Sequence, residues 1–402
     1  MLRTQVMPQL KITAATSAGA SPWRDQPAGL GYAMPAEWEP HAATWLAWPH
    51  HQADWPGKLE AIRWVYGEMA RKIYPGETVR LLVRHPAEQK PAASYLNRAG
   101  CDLKQIRFIV YPTNRGWIRD TGPVFVKKQI GRDAALRRPW TSQRDVPTSE
   151  TAIVHFHFNA WARDNHWRKD RKIPEMAARL LGKKLFHAQR SVPASLRTPH
   201  SALRNFVLEG GGIEVNGRGT LLTTEECYLH PTIQVRNPGM TRAQYDEAFQ
   251  KYLSVKNPLW LLKGPAGDDT HGHVDDICRF VNRKTLVLIR EKNPRDINYR
   301  PLAENWERVR QFRLEDGSKP EIVPLPMPAP LFFAGRRLPA SYANFYICNA
   351  CVIVPTFNDP NDRVALGILG ELFRDRPVVG IHAVDLVLGS GSLHCLTQQQ
   401  PA

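Results

Sequence analysis

The sequence predicts a mixed α/β fold, and three observations carry that reading. Short runs of alternating or continuous β-branched and aliphatic residues recur along the 402-residue chain. Single stretches with apolar residues at helical spacing separate them. The mixture returns at intervals of roughly 50 to 70 residues with no literal repeat, which fits either an open α/β sheet or a radial array. Hydrophobic residues at 43 % and charged residues at 23 % give the chain enough apolar surface for a substantial core.

Residues 1–30, rich in Ala, Ser, Pro and Gly, read as an irregular N-terminal arm. From Met34 the stretch MPAEWEPHAATWLAWPHH is too proline-rich to start a helix and too apolar for a linker. Ile62, Val65, Met69 and Ile73 then fall at helical spacing. Val79, Leu81 and Val83 alternate, as do Ile106, Phe108 and Val110, and these two strands flank a polar–apolar stretch over 86–98. FVLEGGGIEV and GTLLTTEEC predict two strands joined by a turn. Thr241 and Gln244 form the Thr-x-x-Gln capping box of a helix, with LWLL following as a strand. TLVLIRE and EIVPLPM flank a helical stretch around 303–313, and CVIVPTF, a helix near 361–373 and PVVGIHAV make the last unit. No Gly/Ser linker divides the chain, so 31–402 is read as one domain.

Several classes are excluded or disfavoured. No apolar run approaches the roughly 20 residues needed to span a bilayer, and the N-terminal stretch has no continuous apolar core, so a cytoplasmic location is expected. Six cysteines (Cys101, Cys227, Cys278, Cys348, Cys351 and Cys395) are thinly spread, without the paired spacing of a zinc finger or disulfide framework. The net charge of +16 is concentrated around 127–204, including Arg137, Arg138, Arg168, Lys169, Arg171 and Lys172. A solvated basic face is the plain reading. Trp161 and Trp167 beside Arg163, Arg168 and Lys169 leave nucleic-acid contact open, but not as the principal role.

Four glycine-flanked segments concentrate acids, His and Cys: Gly116–Gly122, Leu208–Gly212, Asp268–Asp276 and Gly389–Gln400. If His271–Asp275 is extended, His271, His273 and Asp275 share one face. That arrangement suits a two-histidine, one-carboxylate metal site, or an acid/base histidine beside a carboxylate that holds a cation. His394 and Cys395 are adjacent and would face opposite ways in a strand. A nucleophilic Cys395 would therefore take its proton partner from elsewhere, and His273 is the natural candidate. Asp120, Glu209 and Asp275 around one thiol would raise its pKa, a poor arrangement unless the substrate brings positive charge. A planar guanidinium does so, and its fork matches paired carboxylates.

With MPAEWEPH, WLAWPH, GWIRDTGPVFV, FNAW, LEGGGIEV, THGHVDD, LPASYANFYICN and GSGSLHCLTQQQPA in order, the chain from Met34 to Ala402 resembles the agmatine deiminase family. That family of guanidino-group-modifying enzymes includes the bacterial peptidyl-arginine deiminases. The resemblance implies a five-bladed pseudo-symmetric α/β propeller of ββαβ-type repeats around a central site, with no metal or organic cofactor. It implies Cys395 as nucleophile, His273 as acid/base, Asp120 and Asp275 as clamps on the guanidinium, Glu209 as the partner of His273, and Trp117 lining the pocket. The expected partner is a small cationic guanidino substrate, agmatine first and peptidyl-arginine second. No membrane partner is expected, and homo-oligomerisation is left open.

Two departures bear on the substrate. Ser392-Leu393-His394-Cys395 stands where agmatine-specific members tend to have Asn-Ile-His-Cys, and Glu214 stands where they tend to have His. Glu214 is therefore either an acceptor for a second positive charge on the substrate or a solvent-facing strand carboxylate.

Overall fold

The computed structural model of the protein describes residues 23–128, 150–190 and 205–402. Within them the α/β mixture forms five sheets of three or four strands, plus a small hairpin of Phe332–Phe333 and Arg336–Arg337. The sheets share one internal order: an antiparallel pair, then a parallel partner reached through helix. In one, Val124–Lys128 pairs antiparallel with Thr151–His155, which runs parallel to Lys184–His187 across the Ile173–Leu181 helix. The same order joins Glu214–Val215, Thr220–Thr224 and Asn257–Leu261 across Arg242–Leu253. It recurs in Cys278–Phe280, Thr285–Arg290 and Glu321–Pro326 across Tyr299–Val309. Tyr346–Ile347, Val352–Thr356 and Val378–His382 repeat it across Pro360–Leu372.

The fifth sheet joins distant parts of the chain. Gln398–Pro401 lies antiparallel to His41–Ala47, which runs parallel to Thr78–Val83 across the Leu59–Ile73 helix. The helix buries Ile62, Tyr66, Met69, Ala70 and Ile73, an i, i+4, i+7 pattern that seats one stripe on the sheet. The proline-rich stretch thus contains a strand. From Ala43 onward it is buried because both faces are covered: Leu46 packs with Ile62 and Tyr66, whereas Trp45 and Ala47 pack with Ile118, Phe125 and Ile173.

The Thr241/Gln244 capping box is present, with each side chain bonded to the other's main chain. A second box, Asp359 with Asp362, starts the Pro360–Leu372 helix. Among the described residues no helix is long and apolar enough to cross a membrane. Most of the N-terminal arm, together with Arg137 and Arg138 of the basic region, lies outside the described residues.

A buried ion-pair cluster ties the sheets together. The Arg279 guanidinium donates to Glu214 Oε2 (2.9 Å), to Glu37 Oε1 (2.9 Å) and to the Phe345 carbonyl (2.7 Å). Arg119 adds bonds to Glu37 Oε2 (3.2 Å) and Gln399 Oε1 (2.6 Å). Each carboxylate is met by a cation, the condition under which buried charge is tolerable.

Candidate active site

The turn leading into the first strand of each of these sheets delivers one polar side chain to a common chamber. Asp120 precedes Val124–Lys128, Glu209 precedes Glu214–Val215, and Asp275 precedes Cys278–Phe280. Asn344 precedes Tyr346–Ile347, and Cys395 precedes Gln398–Pro401. His273 enters two residues before Asp275. Six of the residues singled out from the sequence (Cys395, His273, Asp275, Asp120, Glu209 and Trp117) are buried together here, none more than 7 % exposed.

Gly211 shows how tightly they converge. A methyl group on its α-carbon would lie 2.5 Å from His273 Nδ1, 3.0 Å from Asp120 Oδ1 and 3.1 Å from Asp275 Oδ2. Its neighbours are equally confined: a Cβ at Gly210 would strike the Arg119 carbonyl and one at Gly212 the Tyr228 hydroxyl, at 2.3 and 2.2 Å. The expected strand across Glu209–Gly212 is therefore a single tight turn, because close approach rather than extension governs these glycines.

Asp120 accepts from Trp161 Nε1 (2.8 Å) and from the Gly211 amide (3.0 Å). Trp161 is placed by Ala160, Trp161 and Ala162, all with φ between 53° and 57°, a left-handed run that costs conformational energy in non-glycine residues. The indole is buried at the site, so it is not free to stack on a nucleic-acid base. Glu209 lies 3.7 Å from His273 Nε2 and accepts from Arg236 Nε (3.2 Å). His273 Nδ1 is 3.8 Å from Asp120 Oδ1. Both ring nitrogens of His273 and Asp275 Oδ1 are buried without a hydrogen-bond partner. Three such orphaned atoms in one chamber imply a polar ligand that completes them.

The Cys395 thiol faces Asp275 Oδ2 at 3.6 Å and accepts from Asn344 Nδ2 at 3.2 Å. Trp117 stands beside it: a Cβ on Gly391 would lie 3.0 Å from both Cys395 Sγ and Trp117 Cζ3. Burial pushes the Cys395 thiol well above its usual range, and Asp275, Asp276 and Asp120 add to that shift. Burial also raises Asp120, assisted by Asp275 and Glu209 and opposed by His273. For His273 burial opposes protonation, but Asp120, Cys227 and Glu209 prevail and hold its pKa well above normal. Glu209 and Asp275 are held low despite burial, the first chiefly by Arg236 and the second by His394. The chamber therefore sets a thiol and an imidazole, both with raised pKa, beside two carboxylates that are held low and one that is raised.

Two expected residues stand elsewhere. The 271–275 segment is not extended: His271 (φ 64°) and Gly272 (φ 91°) turn the chain and Val274–Asp276 is a 3₁₀ turn. His271 points to the Glu226 carbonyl (3.0 Å), so the His271, His273, Asp275 metal trio does not assemble. The sets in the chamber that could hold an ion are Glu209–Cys227–His273 and Asp275–Asp276–Cys395. Glu214 is neither solvent-facing nor in the chamber. Both its oxygens are engaged, by Arg279 Nε (2.9 Å) and the Phe280 amide (3.1 Å).

Four residues of the site were not singled out for it from the sequence: Asn344, Trp161, His394 and Glu37. Asn344 Nδ2 also donates to Asp276 Oδ1 (3.0 Å), and its Oδ1 accepts from Ser392 Oγ (2.8 Å) and the His394 amide (3.0 Å). All four fall in motifs quoted above. A cavity of about 200 Å³ lined by Trp161, Ser390, Asp54, Arg115, Arg163 and Asp269 lies at the edge of the chamber. Ion pairs Arg163–Asp269 and Arg115–Asp164 cross its rim.

Known proteins resemble the chain along nearly its whole length. The chain matches the Porphyromonas-type peptidyl-arginine deiminases over residues 33–401. It is 33 % identical over 400 residues to the agmatine deiminase of Pseudomonas syringae pv. tomato, covering 94 % of this chain and 97 % of that one. Identity to the agmatine deiminase of Pseudomonas aeruginosa is 32 % with the same coverage. Among solved structures, the agmatine deiminase of Enterococcus faecalis superimposes with a TM-score of 0.78 at 26 % identity, over 96 % of this chain and 99 % of that one. A cysteine-to-serine variant of the C. jejuni agmatine deiminase with substrate bound gives 0.75 at 26 % identity, over 92 % and 96 %.

Proposed function

Because this chain belongs to the Porphyromonas-type peptidyl-arginine deiminase family, we propose that it is a cysteine-dependent deiminase that hydrolyses agmatine to N-carbamoylputrescine and ammonia. The observation that carries this reading is the set of orphaned atoms, His273 Nδ1 and Nε2 and Asp275 Oδ1, beside the Cys395 thiol. A planar guanidinium between Asp120 and Asp275 donates to the unpartnered Asp275 Oδ1 and brings positive charge among the acids, while the His273 N–H groups stay free to serve its nitrogens and Glu209.

The chemistry follows from that placement. As the cation enters, it offsets the carboxylates that hold the thiol neutral, and the Cys395 proton passes to solvent. Sγ then bonds to the guanidinium carbon. The bond from that carbon to one terminal nitrogen breaks, and His273 donates the proton with which ammonia leaves. The now neutral His273 takes a proton from water, whose oxygen adds to the same carbon. The C–S bond breaks as the added hydroxyl releases its proton to solvent, the thiolate returns and the neutral ureido product departs. Glu209, anchored by Arg236, favours the imidazolium in both halves. None of these steps calls for a metal or organic cofactor.

Deimination of arginine in a peptide is the second reading. The burial of Cys395 at 4 % exposure and the ion pairs across the rim favour the smaller substrate. We also infer that the five sheets stand as blades of one domain, 31–402, around the chamber, since each contributes at least one side chain to it. A cytoplasmic metabolic enzyme fits this reading. An assay of ammonia and ureido product with agmatine, free arginine and a blocked arginine peptide side by side tests it. Turnover of agmatine, lost in Cys395→Ser, is expected. Turnover of the peptide alone would overturn the substrate, and undiminished activity in Cys395→Ser would overturn the mechanism.

A further inference from the structure

One cluster of ligand-type side chains lies apart from the catalytic chamber. His155 ends the Thr151–His155 strand, Glu175 lies in the first turn of the following helix, and His187 ends the parallel strand Lys184–His187. The register sets His155 directly beside His187, and their ring centroids are 5.2 Å apart. Glu175 reaches back from the helix to place Oε1 3.6 Å from His155 Nδ1. One donor atom from each of the three residues lies within 4.8 Å of the others.

The His155 ring has its tautomer fixed from behind. Nε2 lies 2.8 Å from the Arg171 carbonyl, which can only accept, so Nε2 carries a proton. In the neutral ring Nδ1 then holds a lone pair. That atom is buried without a hydrogen-bond partner, on a side chain only 10 % exposed. A bare nitrogen and a carboxylate oxygen, both electron-pair donors, therefore face each other at 3.6 Å. An imidazole whose far N–H is held by a main-chain carbonyl while its near nitrogen faces a carboxylate, with a second imidazole alongside, has the outer-shell arrangement of a metal ligand.

We propose that His155 Nδ1, Glu175 and His187 form a binding site for a divalent cation of the zinc type. Two imidazoles and one carboxylate suit such an ion, with water completing a tetrahedron. Donor atoms around tetrahedral zinc stand about 3.4 Å apart. The His155–Glu175 pair is already near that spacing, and His187 on the exposed side has room to rotate inward. The ion would bind both ends of one strand–helix–strand crossover to each other. It would strengthen that sheet without taking part in turnover.

The test uses the full-length chain carrying Cys395→Ser, which removes the thiol of the catalytic chamber as a competing ligand. Zinc chloride is titrated into metal-free protein by calorimetry, and a zinc-soaked crystal is measured at the zinc absorption edge. The expected result is an anomalous peak about 2.0–2.1 Å from His155 Nδ1. His187→Ala and Glu175→Gln should each weaken that binding at least tenfold and remove the zinc-dependent rise in melting temperature. In the chain with Cys395 intact, His187→Ala should leave agmatine turnover unchanged, which separates this site from the catalytic reading. Unaltered zinc affinity in both variants, or a peak only beside Cys227 and His273, would overturn the proposal. Absence of binding at submillimolar zinc would do so as well, leaving Nδ1 a proton site.

Discussion

His394 donates from Nδ1 to Asp275 Oδ2 at 2.7 Å while its Nε2 lies 2.8 Å from Glu37 Oε2, so one imidazole bridges two buried carboxylates. The residue next to the nucleophile thus acts on the carboxylate that faces the nucleophile. His394→Ala should leave both acids without their shared hydrogen-bond partner. Breaking a buried pair in this way costs about 3 kcal/mol or more, readable as a lower urea midpoint. With Asp275 displaced, kcat/KM for agmatine should fall about 100-fold or more. His394→Gln, able to donate one bond, should recover part of both losses. Unchanged kinetics in His394→Ala would show that Asp275 needs no such support.

The same network predicts sensitivity to acid. Glu37 is held well below 4.5 because Arg279 and His394 outweigh its burial, Asp275 is held below 3.8, and Glu209 below 4.5. Groups whose folded pKa is depressed contribute stability above their unfolded values and lose it as pH falls through the folded ones. The urea midpoint should be insensitive to these groups above about pH 5 and decline steadily below about pH 4. A midpoint constant down to pH 3 would contradict the assigned pairings.

Asp275→Asn should separate thiol reactivity from turnover. After burial, Asp275 is the leading cause of the raised Cys395 pKa. Its neutralisation should speed alkylation of Cys395 by iodoacetamide, followed by mass spectrometry. Agmatine turnover should nevertheless fall by about 1,000-fold or more, because a guanidinium clamp is gone. Slower alkylation in this variant would count against the electrostatic account of the thiol.

Gly211→Ala should abolish deimination with little change in circular dichroism. The added methyl would occupy the space shared by His273, Asp120 and Asp275, at 2.5 Å from the imidazole. Displacements of about 1 Å at such a site cost roughly 100-fold in rate. Retention of more than a tenth of the parent kcat would mean that the chamber is looser than its geometry indicates.

How much of this was legible from the chain depends on what each residue answers to. Thr78–Val83 and Ile106–Val110 could be read from alternation, whereas His41–Ala47 could not, because two covered faces erase the period. Asp120, Glu209, His273, Asp275 and Cys395 announced themselves as polar groups among glycines, where backbone approaches ligand. His271 misled because an extended segment was assumed, and two positive φ angles undo that assumption. Glu214 misled differently: its partner Arg279 is 65 residues away in sequence, and only folding shows that its charge is already matched. Asn344, Trp161, His394 and Glu37 share that difficulty. Their neighbours are apolar or aromatic, and their roles exist only through bonds across the chamber.

The pairing of Gln398–Pro401 with His41–Ala47 has a temporal consequence. The nucleophile enters the chamber on the strand that links the far ends of the described chain, so this contact has the longest loop to close and forms late. Until it does, the chain carries clamps and an acid/base histidine but no aligned thiol. Partly folded molecules are then chemically silent, and the appearance of activity during refolding times the closure of the last sheet.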